Sequence, residues 1–531
     1  MRLSELIIEA ETDLEVVRGE TASVRVCDIT EDSRTALPGS LFAARPGGEA
    51  DGRRFIGDAV AAGAACILTD AGGVDRALAQ PGAAVLVAED VRAAVAALAE
   101  AFYGKPSRNL TLIGVTGTNG KTTVAHLVQH QLATAGLRCG LIGTVEIDDG
   151  SGRHEAEMTT PPAAELSRTL AAMVEAGCTT AVMEVSSHAL EQRRADSLAF
   201  DIGVATNLTR DHLDYHGSMH AYAAAKRRLF ELVDAAAWRG LGMGLSIVNA
   251  DDPEAASLGG RRSIGCSIDG RAIQGWSVRA REQTIDGIGL SLEGPRISVD
   301  ASLGLIGRHN AMNACQAVAA ADAALIEAGF NPAQRASALR RGLETATAPP
   351  GRMERVEAAH AACPRTFVDF AHTADALDRS LAAVRAAMPA GAALWVVFGA
   401  GGERDRGKRP GMGAAVSRWA DRTVLTSDNP RGEPVNRIIS DVLAGAPESD
   451  RDAVIVHADR RRAIEQAVRL AEAQDVVVIA GKGHERFQIE ADESGALRST
   501  PFDDRIVAAE ALRARAGLVT SSAAADSQVC A

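Results

Sequence analysis

Ten residues, GVTGTNGKTT at positions 114–123, have the types needed to grip a chain of phosphates. The backbone N–H groups of a glycine-rich turn that opens a helix form a concave anion site, and the helix N-terminus adds partial positive charge. Lys121 is placed to reach the outer phosphates, and the Thr122 hydroxyl to hold Mg²⁺. The spacing is unusual. In the G-x-x-x-x-G-K-[ST] loop the first glycine would fall at position 115, which is Val115, and the glycines here are Gly114, Gly117 and Gly120. A plain glycine-rich turn is the competing reading, and Lys-Thr-Thr at the start of the helix weighs against it.

MEVSSHAL, 183–190, closes an apolar run with Glu184, a hard carboxylate of the kind that coordinates Mg²⁺. Helix capping by Ser186 or Ser187 is an equal reading of that segment alone. NLTRDHLDYHG, 207–217, packs two Asp and two His, as a zinc site or a polar loop would, and the phosphate loop upstream favours a Mg²⁺-phosphate role. Neither Thr122 nor Glu184 is expected to carry core packing. Only five of the 56 basic residues are lysines, namely Lys105, Lys121, Lys226, Lys408 and Lys482. Codon bias explains the scarcity, but not why four of the five fall in motif-like segments. A lysine amine, unlike a guanidinium, can be deprotonated and modified, so those four are candidates, although Lys226 alone would read as part of a solvated helix face.

Three further loops are charged: FGAGGERDRGKRP (398–410), SDNPRGEP (427–434) and AGKGHE (480–485). Each follows an apolar run, so they fall at the strand ends of one predicted sheet. Together they suit a substrate that bears carboxylates, while each alone is an ordinary loop.

The elements that must position these residues follow from hydrophobic period. From 110 onward, short apolar runs (LTLIGV, LIGTV, TAVMEV, DIGVATN) alternate with helical spacing such as Val124, Leu127, Val128 and Leu132. That alternation predicts a mostly parallel sheet. Denser strand and turn signals over 260–306 predict a small β insert, and helices are expected at about 308–325 and 331–344. A second doubly wound sheet is predicted from TFVDFA, LWVVFGA, TVLTSD and DVVVIAG. The expected boundaries are a linker at 103–109 and a break at 348–356. These give domains 1–107, 108–347 and 348–515, then a small, polar tail, 516–531, expected to be disordered.

Composition sets outer limits. The chain has 531 residues, too many for one core and enough for roughly three domains. A net charge of -13 argues against a general nucleic-acid binder. The start lacks the basic and apolar regions of a signal peptide, and no apolar run approaches a membrane span. Eight scattered cysteines with no C-x-x-C pair point to a reducing compartment, so a cytoplasmic location is expected.

TGTNGKTT, MTTP (158–161), MEVSSHAL, NLTRDHLDYHG, GRHNAMNACQA (307–317), PGRME (350–354), FAHTADAL (370–377), GGERDRGKRP, DNPR and GKGHE follow one another along most of the chain. The set closely resembles the Mur ligases of peptidoglycan synthesis. Within that family it is similar to the members that add the third residue to UDP-N-acetylmuramoyl-L-alanyl-D-glutamate. The altered glycine spacing is the form these ATP-dependent amide ligases use. The resemblance implies an α/β protein of three domains: an N-terminal mixed α/β domain for the UDP end, a central parallel-sheet ATPase domain, and a C-terminal Rossmann-like domain for the incoming amino acid.

It also implies roles. Gly117, Thr118, Asn119, Gly120, Lys121, Thr122 and Thr123 would bind ATP, with Asn310 at adenine, Asp369 at ribose and Arg352 at the phosphates. Thr122, Glu184 and His212 would help hold Mg²⁺, joined by Lys226 as a CO₂-derived carbamate. The implied catalytic set is therefore Lys121, Lys226, Glu184 and His212. Ser33, Thr159, Thr160, Ser186, Gln192 and Arg194 would take the UDP-sugar dipeptide. Arg404, Asp428, Asn429, Pro430, Arg431, Gly481 and Glu485 would take meso-diaminopimelate. The implied partners are these small molecules, for a monomer with no nucleic-acid partner and no membrane insertion. Phe370 and Ala374 depart from the Tyr and Pro common in the family. The rival readings are a lysine-adding homologue, a folylpolyglutamate synthetase, and a GTP switch. The last would need an Asn-Lys-x-Asp or Thr-Lys-x-Asp motif that none of the five lysines supplies.

Overall fold

The computed structural model describes residues 1–47, 51–268, 270, 275–358, 360–492 and 494–529, with the backbone alone over 518–529. The chain divides into two compact units. One comprises Met1–Arg279, Leu292–Val299 and Met312–Gly342, and the other Ala280–Ser291, Asp300–Ala311 and Leu343–Ala531.

The first unit carries two sheets. Its N-terminal sheet has the order Glu15–Arg18, Ala84–Val87, Cys66–Thr69, Ser40–Ala43, Asp28–Thr30. All neighbours there are parallel except the first pair. In its central sheet Arg262–Ile268, Leu245–Asn249, Ile202–Ala205, Thr111–Thr116, Thr180–Glu184 and Cys139–Ile142 lie side by side, all parallel. The inner strands are buried on both faces, as a sheet covered by helices requires. Polar side chains appear where these strands end: Thr116, Glu184, Thr206 and Asn249. Ligands bind at those carboxyl ends in such folds.

The stretch expected as a small β insert forms the strands Arg262–Ile268, Gly275–Thr284, Gly287–Glu293 and Ser298–Leu303. The first two continue the central sheet in parallel instead of standing apart from it. The division between the units passes through this stretch. Helices follow at Arg308–Glu327 and Pro332–Glu344.

The second unit's main sheet runs Glu354–Val356, Arg365–Asp369, Val476–Ala480, Leu394–Phe398, Arg422–Leu425, Ile455–Val456. Only its first pair is antiparallel. The final helix, Asp504–Val529, continues through positions 516–529 of the tail expected to lack structure. Its run of alanines favours helix, which the reading by polarity missed. Cys530 and Ala531 lie outside the described residues.

Candidate active site

The glycine loop leaves the end of strand Thr111–Thr116 and enters helix Lys121–Thr134. Gly117 and Gly120 both have positive φ, +142° and +85°. A Cβ on Gly117 would lie 1.9 Å from Thr206 Oγ1, and one on Gly120 would lie 2.6 Å from Asn313 Oδ1. Both positions therefore exclude any side chain. Gly114 serves differently: within the strand, its Cβ would strike Leu229 and Phe200 at 2.8 Å. Val115 is wholly buried in that strand. Two glycines thus shape the loop and the third is a packing residue.

The loop is braced from the next strand end. Thr118 N donates to Asn207 O at 2.8 Å. Asn119 N donates to Asn207 Oδ1 at 2.9 Å, and Asn119 O accepts from Thr206 Oγ1 at 2.6 Å and from Asn207 Nδ2 at 2.9 Å. Thr118 and Thr209 exchange two further bonds. The segment NLTRDHLDYHG thus begins as a clamp on the phosphate loop. Because Gly120 is the helix N-cap, no side chain caps the first-turn N–H groups, the arrangement an anion site needs.

Thr122 Oγ1 donates to Glu184 Oε2 at 3.0 Å. The same carboxylate accepts from Thr144 N at 2.8 Å and Thr144 Oγ1 at 3.0 Å. Glu184 is fully buried and Thr122 nearly so, so the expectation that neither contributes to packing does not hold. A carboxylate out of water needs those donors. Glu184→Ala should leave the Thr144 N–H and the Thr122 hydroxyl without their acceptor, each such group costing about 1–3 kcal/mol. Glu184→Gln should keep most of that stability while lowering Mg²⁺-dependent turnover. Thermal unfolding and Mg²⁺ titration of the two variants check this, and equal stability of the two would contradict it.

Lys226 is buried on helix Met219–Trp238, not on a solvated face. Its Nζ donates to Gly117 O at 2.7 Å and lies 4.6 Å from the Tyr222 ring centroid. Burial, and next the nearby Lys121 charge, hold its amine well below the usual lysine range. Lys121 Nζ folds back onto Gly117 O and Thr118 O, both at 3.0 Å. His212 has left-handed φ of +50° and sits half-exposed, its ring 4.8 Å from that of His188 and 6.3 Å from that of Tyr222. Tyr222, whose hydroxyl is 3.1 Å from Thr118 Oγ1, links this histidine cluster to Lys226 and the loop. Among the described residues no group of three or more His, Cys, Asp or Glu is arranged to hold a metal. The oxygen donors Thr122 and Glu184 have the hard character Mg²⁺ takes, whereas a zinc site would call for clustered N or S ligands.

Five of the residues expected at the UDP-dipeptide form one network. Thr160 Oγ1 donates to Glu184 O at 2.9 Å and accepts from Ser186 N at 3.1 Å. Arg194 donates to Thr160 O at 2.7 Å and to Gln192 Oε1 at 2.7 and 3.2 Å. Thr159 Oγ1 lies 3.1 Å from Thr144 Oγ1, which ties this network to Glu184. Ser33 begins a short 3-10 turn beside Asp32, in the N-terminal sheet region, outside the network.

In the second unit, the three charged loops do meet. Lys482 is fully buried, and its Nζ donates to Asn429 Oδ1 at 3.1 Å, Glu485 Oε2 at 3.0 Å and Phe487 O at 2.6 Å. Asn429 Nδ2 also donates to Glu485 Oε2, at 2.8 Å. A Cβ on Gly481, φ +118°, would lie 2.6 Å from Asp428 Oδ2. Arg431 has φ of +51°, and its Nη1 donates to Gly402 O at 2.9 Å and Asn429 O at 3.3 Å. Arg404 reaches the same turn, its Cγ 3.8 Å from the Cβ position of Gly401. Not every cation serves a ligand. Arg409 is fully buried against Glu433, at 2.7 Å, and Asp441, at 2.8 Å, and Arg406 also pairs with Glu433.

The remaining expected contacts also lie in the second unit. Asp369 is held in place by three donors, its Oδ1 accepting from Ala371 N and Ser380 Oγ and its Oδ2 from Met353 N. Arg352 stacks over Phe370, 4.6 Å from its centroid. Asn310 Nδ2 donates to Ile306 O at 2.7 Å.

Three family descriptions match the chain: Mur ligase family catalytic domain over residues 26–103, Mur ligase middle domain over 115–321, and Mur ligase glutamate ligase domain over 351–483. A UDP-N-acetylmuramoyl-L-alanyl-D-glutamate--2,6-diaminopimelate ligase of Chromobacterium violaceum is 41% identical over 507 residues, covering 92% of this chain and 94% of its own. The chain belongs to the Mur ligase family. A ligase of the same name from Pseudomonas aeruginosa is 40% identical over 518 residues, covering 97% of this chain and 98% of its own. A solved structure with that title superposes with a TM-score of 0.64 at 30% identity, over 94% of this chain and 97% of its own. Mycobacterium tuberculosis folylpolyglutamate synthase shares the fold, with a TM-score of 0.54 at 21% identity over 72% of this chain.

Several functional positions escaped the sequence reading. Asn207 and Thr206 brace the loop, and Thr144 holds Glu184. Thr144 had no signal, because its segment, GTVE, contains nothing unusual. Lys482, a candidate by its rarity inside a motif-like segment, ties Asn429 to Glu485.

Proposed function

We propose that this Mur ligase joins meso-2,6-diaminopimelate to UDP-N-acetylmuramoyl-L-alanyl-D-glutamate, as a monomer in the cytoplasmic assembly of peptidoglycan precursors, with ATP as co-substrate. The observation that carries the reading is the Asp428–Arg431 turn, with its Asn429 bonded to Lys482 and Glu485 at the strand ends of the second sheet. Relatives named for this activity match nearly the whole chain at about 40% identity.

A carboxylate is a poor electrophile. Transfer of the ATP γ-phosphoryl to the D-glutamate side-chain carboxylate turns its oxygen into a leaving group. The amine of diaminopimelate then attacks the acyl carbon, the C–O bond breaks and phosphate departs. The protein's work is alignment of two anions and relief of their repulsion. Gly117 to Thr123 present backbone donors and the Lys121 charge to the phosphates, with Arg352 added to them, and Asn310 and Asp369 serve the nucleoside. Thr122, Glu184 and His212 would hold Mg²⁺, which supplies positive charge between the reacting anions. Burial and the nearby Lys121 charge favour the uncharged amine of Lys226, which suits carbamylation: the nitrogen lone pair bonds the carbon of CO₂, a proton leaves, and an uncharged amine becomes an anionic carbamate beside the loop. Ser33, Thr159, Thr160, Ser186, Gln192 and Arg194 take the UDP-dipeptide. Arg404, Asp428, Asn429, Pro430, Arg431, Gly481 and Glu485 take the amino acid.

Phosphate release across a panel tests this. Turnover is expected with the UDP-dipeptide plus meso-diaminopimelate and not with folate plus glutamate. Turnover with folate, or comparable turnover with L-lysine, overturns the reading.

A further inference from the structure

Arg460 starts helix Arg460–Leu470, and its side chain is fully buried. Its partner, Asp504, is fully buried at the start of the last helix. Arg460 Nε and Nη2 donate to the two Asp504 oxygens at 2.8 and 2.7 Å. That fork already satisfies the charge. Yet Arg460 Nη1 also donates to Ser427 O, and Nη2 to Ala480 O, both at 3.0 Å. Ser427 immediately precedes Asp428 and Ala480 immediately precedes Gly481, so one guanidinium grips the backbone just before each amino-acid-binding loop.

On the ligand side the same two loops touch. Gly481 lies so close to Asp428 that a Cβ would sit 2.6 Å from the carboxylate oxygen, and Asn429 bonds to Lys482 and Glu485. The loops are thus pinned from the front by polar side chains and from behind by Arg460. A planar guanidinium spans two carbonyls and a carboxylate at once, whereas a lysine ammonium is a point charge that cannot reproduce the fork.

We propose that the Arg460–Asp504 pair is a positioning device that sets the separation between the 427–431 and 481–485 loops, and with it affinity for the incoming diamino acid. This rests on the reading of those loops as the amino-acid site. Arg460 touches no substrate, so its effect should be selective.

The test uses the full chain in three forms: unaltered, Arg460→Lys, and the double variant Arg460→Met with Asp504→Leu. The double variant removes both charges, so no buried ion is left alone. KM for meso-diaminopimelate is expected to rise at least tenfold in both variants, with KM for ATP and for the UDP-dipeptide within twofold of the unaltered protein. Hydrogen exchange at amides of 428–431 and 481–485 should quicken in both, while helix Lys408–Trp419 keeps its protection. A folded variant with unchanged exchange in both loops overturns the proposal, as does an equal rise in all three KM values. If the unaltered protein fails to turn over meso-diaminopimelate, the functional reading falls, and the exchange measurement still decides whether Arg460 sets the loops.

Discussion

Lys226→Ala should reduce turnover by about 10²- to 10³-fold or more, the scale of losing one preorganised charge at a reacting centre, and short-chain carboxylates should restore part of it. The side chain is buried beneath the phosphate loop, and its Nζ bonds the Gly117 carbonyl. Unmodified, it would bring a second cation close to Lys121, and that repulsion adds to the burial that depresses its pKa. A lysine kept only for its charge would be badly placed there. One that reacts with CO₂ is well placed, because only the neutral amine is nucleophilic, and burial favours the neutral form. The alanine variant leaves a space into which acetate or propionate can bring the missing anion. Lys226→Arg should be as inactive as the alanine variant and resist rescue, since a guanidinium does not carbamylate and fills the space. A spectroscopic check is independent of turnover. With ¹³C-bicarbonate the unaltered protein should show a carbamate carbon resonance that both variants lack. Turnover like that of the unaltered protein in Lys226→Ala, or no carbamate signal in the active protein, would sink the role.

The phosphate loop was legible because its chemistry is local. A strand, a glycine turn and Lys-Thr-Thr lie consecutively, and the helix that follows reads from its own period. The three-loop cluster was legible for a topological reason: parallel strands place their following loops at one end. What stayed hidden depends on residues far apart in the chain. Gly114 reads as part of the loop until Phe200 and Leu229 are seen against it. Glu184 reads as a free ligand until Thr122 and Thr144 close on it. Arg406 and Arg409 read as ligand-binding cations until Glu433 takes both. Arg460 had no signal at all. It is one arginine among 56 basic residues in a chain that uses arginine for its generic positive charge, and its partner lies 44 residues away. Scarcity pointed to Lys482 because lysine is rare here, and abundance concealed Arg460.

Arg431→Ala should remove most of a preference for meso-diaminopimelate over L-lysine that reaches roughly four to five orders of magnitude, the range achieved when a competitor lacks a group the site is built to bind. The distal end of meso-diaminopimelate carries a carboxylate beside its second amine, and L-lysine carries the amine alone. Among the described residues, Arg431 makes its side-chain hydrogen bonds through Nη1, to Gly402 O and Asn429 O. Those bonds aim the guanidinium and leave Nε and Nη2 to grip a carboxylate. With L-lysine the same half-buried guanidinium would lose solvent without gaining a partner, which is costly. Glu485, one oxygen of which is held by Lys482 and Asn429, would offer its other oxygen to the distal ammonium common to both amino acids, and on that proposal it contributes affinity and little choice between them. The backbone supplies a second argument. Arg431 sits at φ +51°, a left-handed conformation that costs a non-glycine residue roughly 1–3 kcal/mol and persists where the surroundings and function demand it. Arg431→Gly relieves that strain and Arg431→Ala does not, so the glycine variant should be the more stable of the two while both lose discrimination equally. Measured kcat/KM for the two amino acids separates these effects. Retained preference in the glycine variant would mean that backbone shape selects the substrate, and comparable values for the unaltered protein would remove Arg431 from the choice altogether.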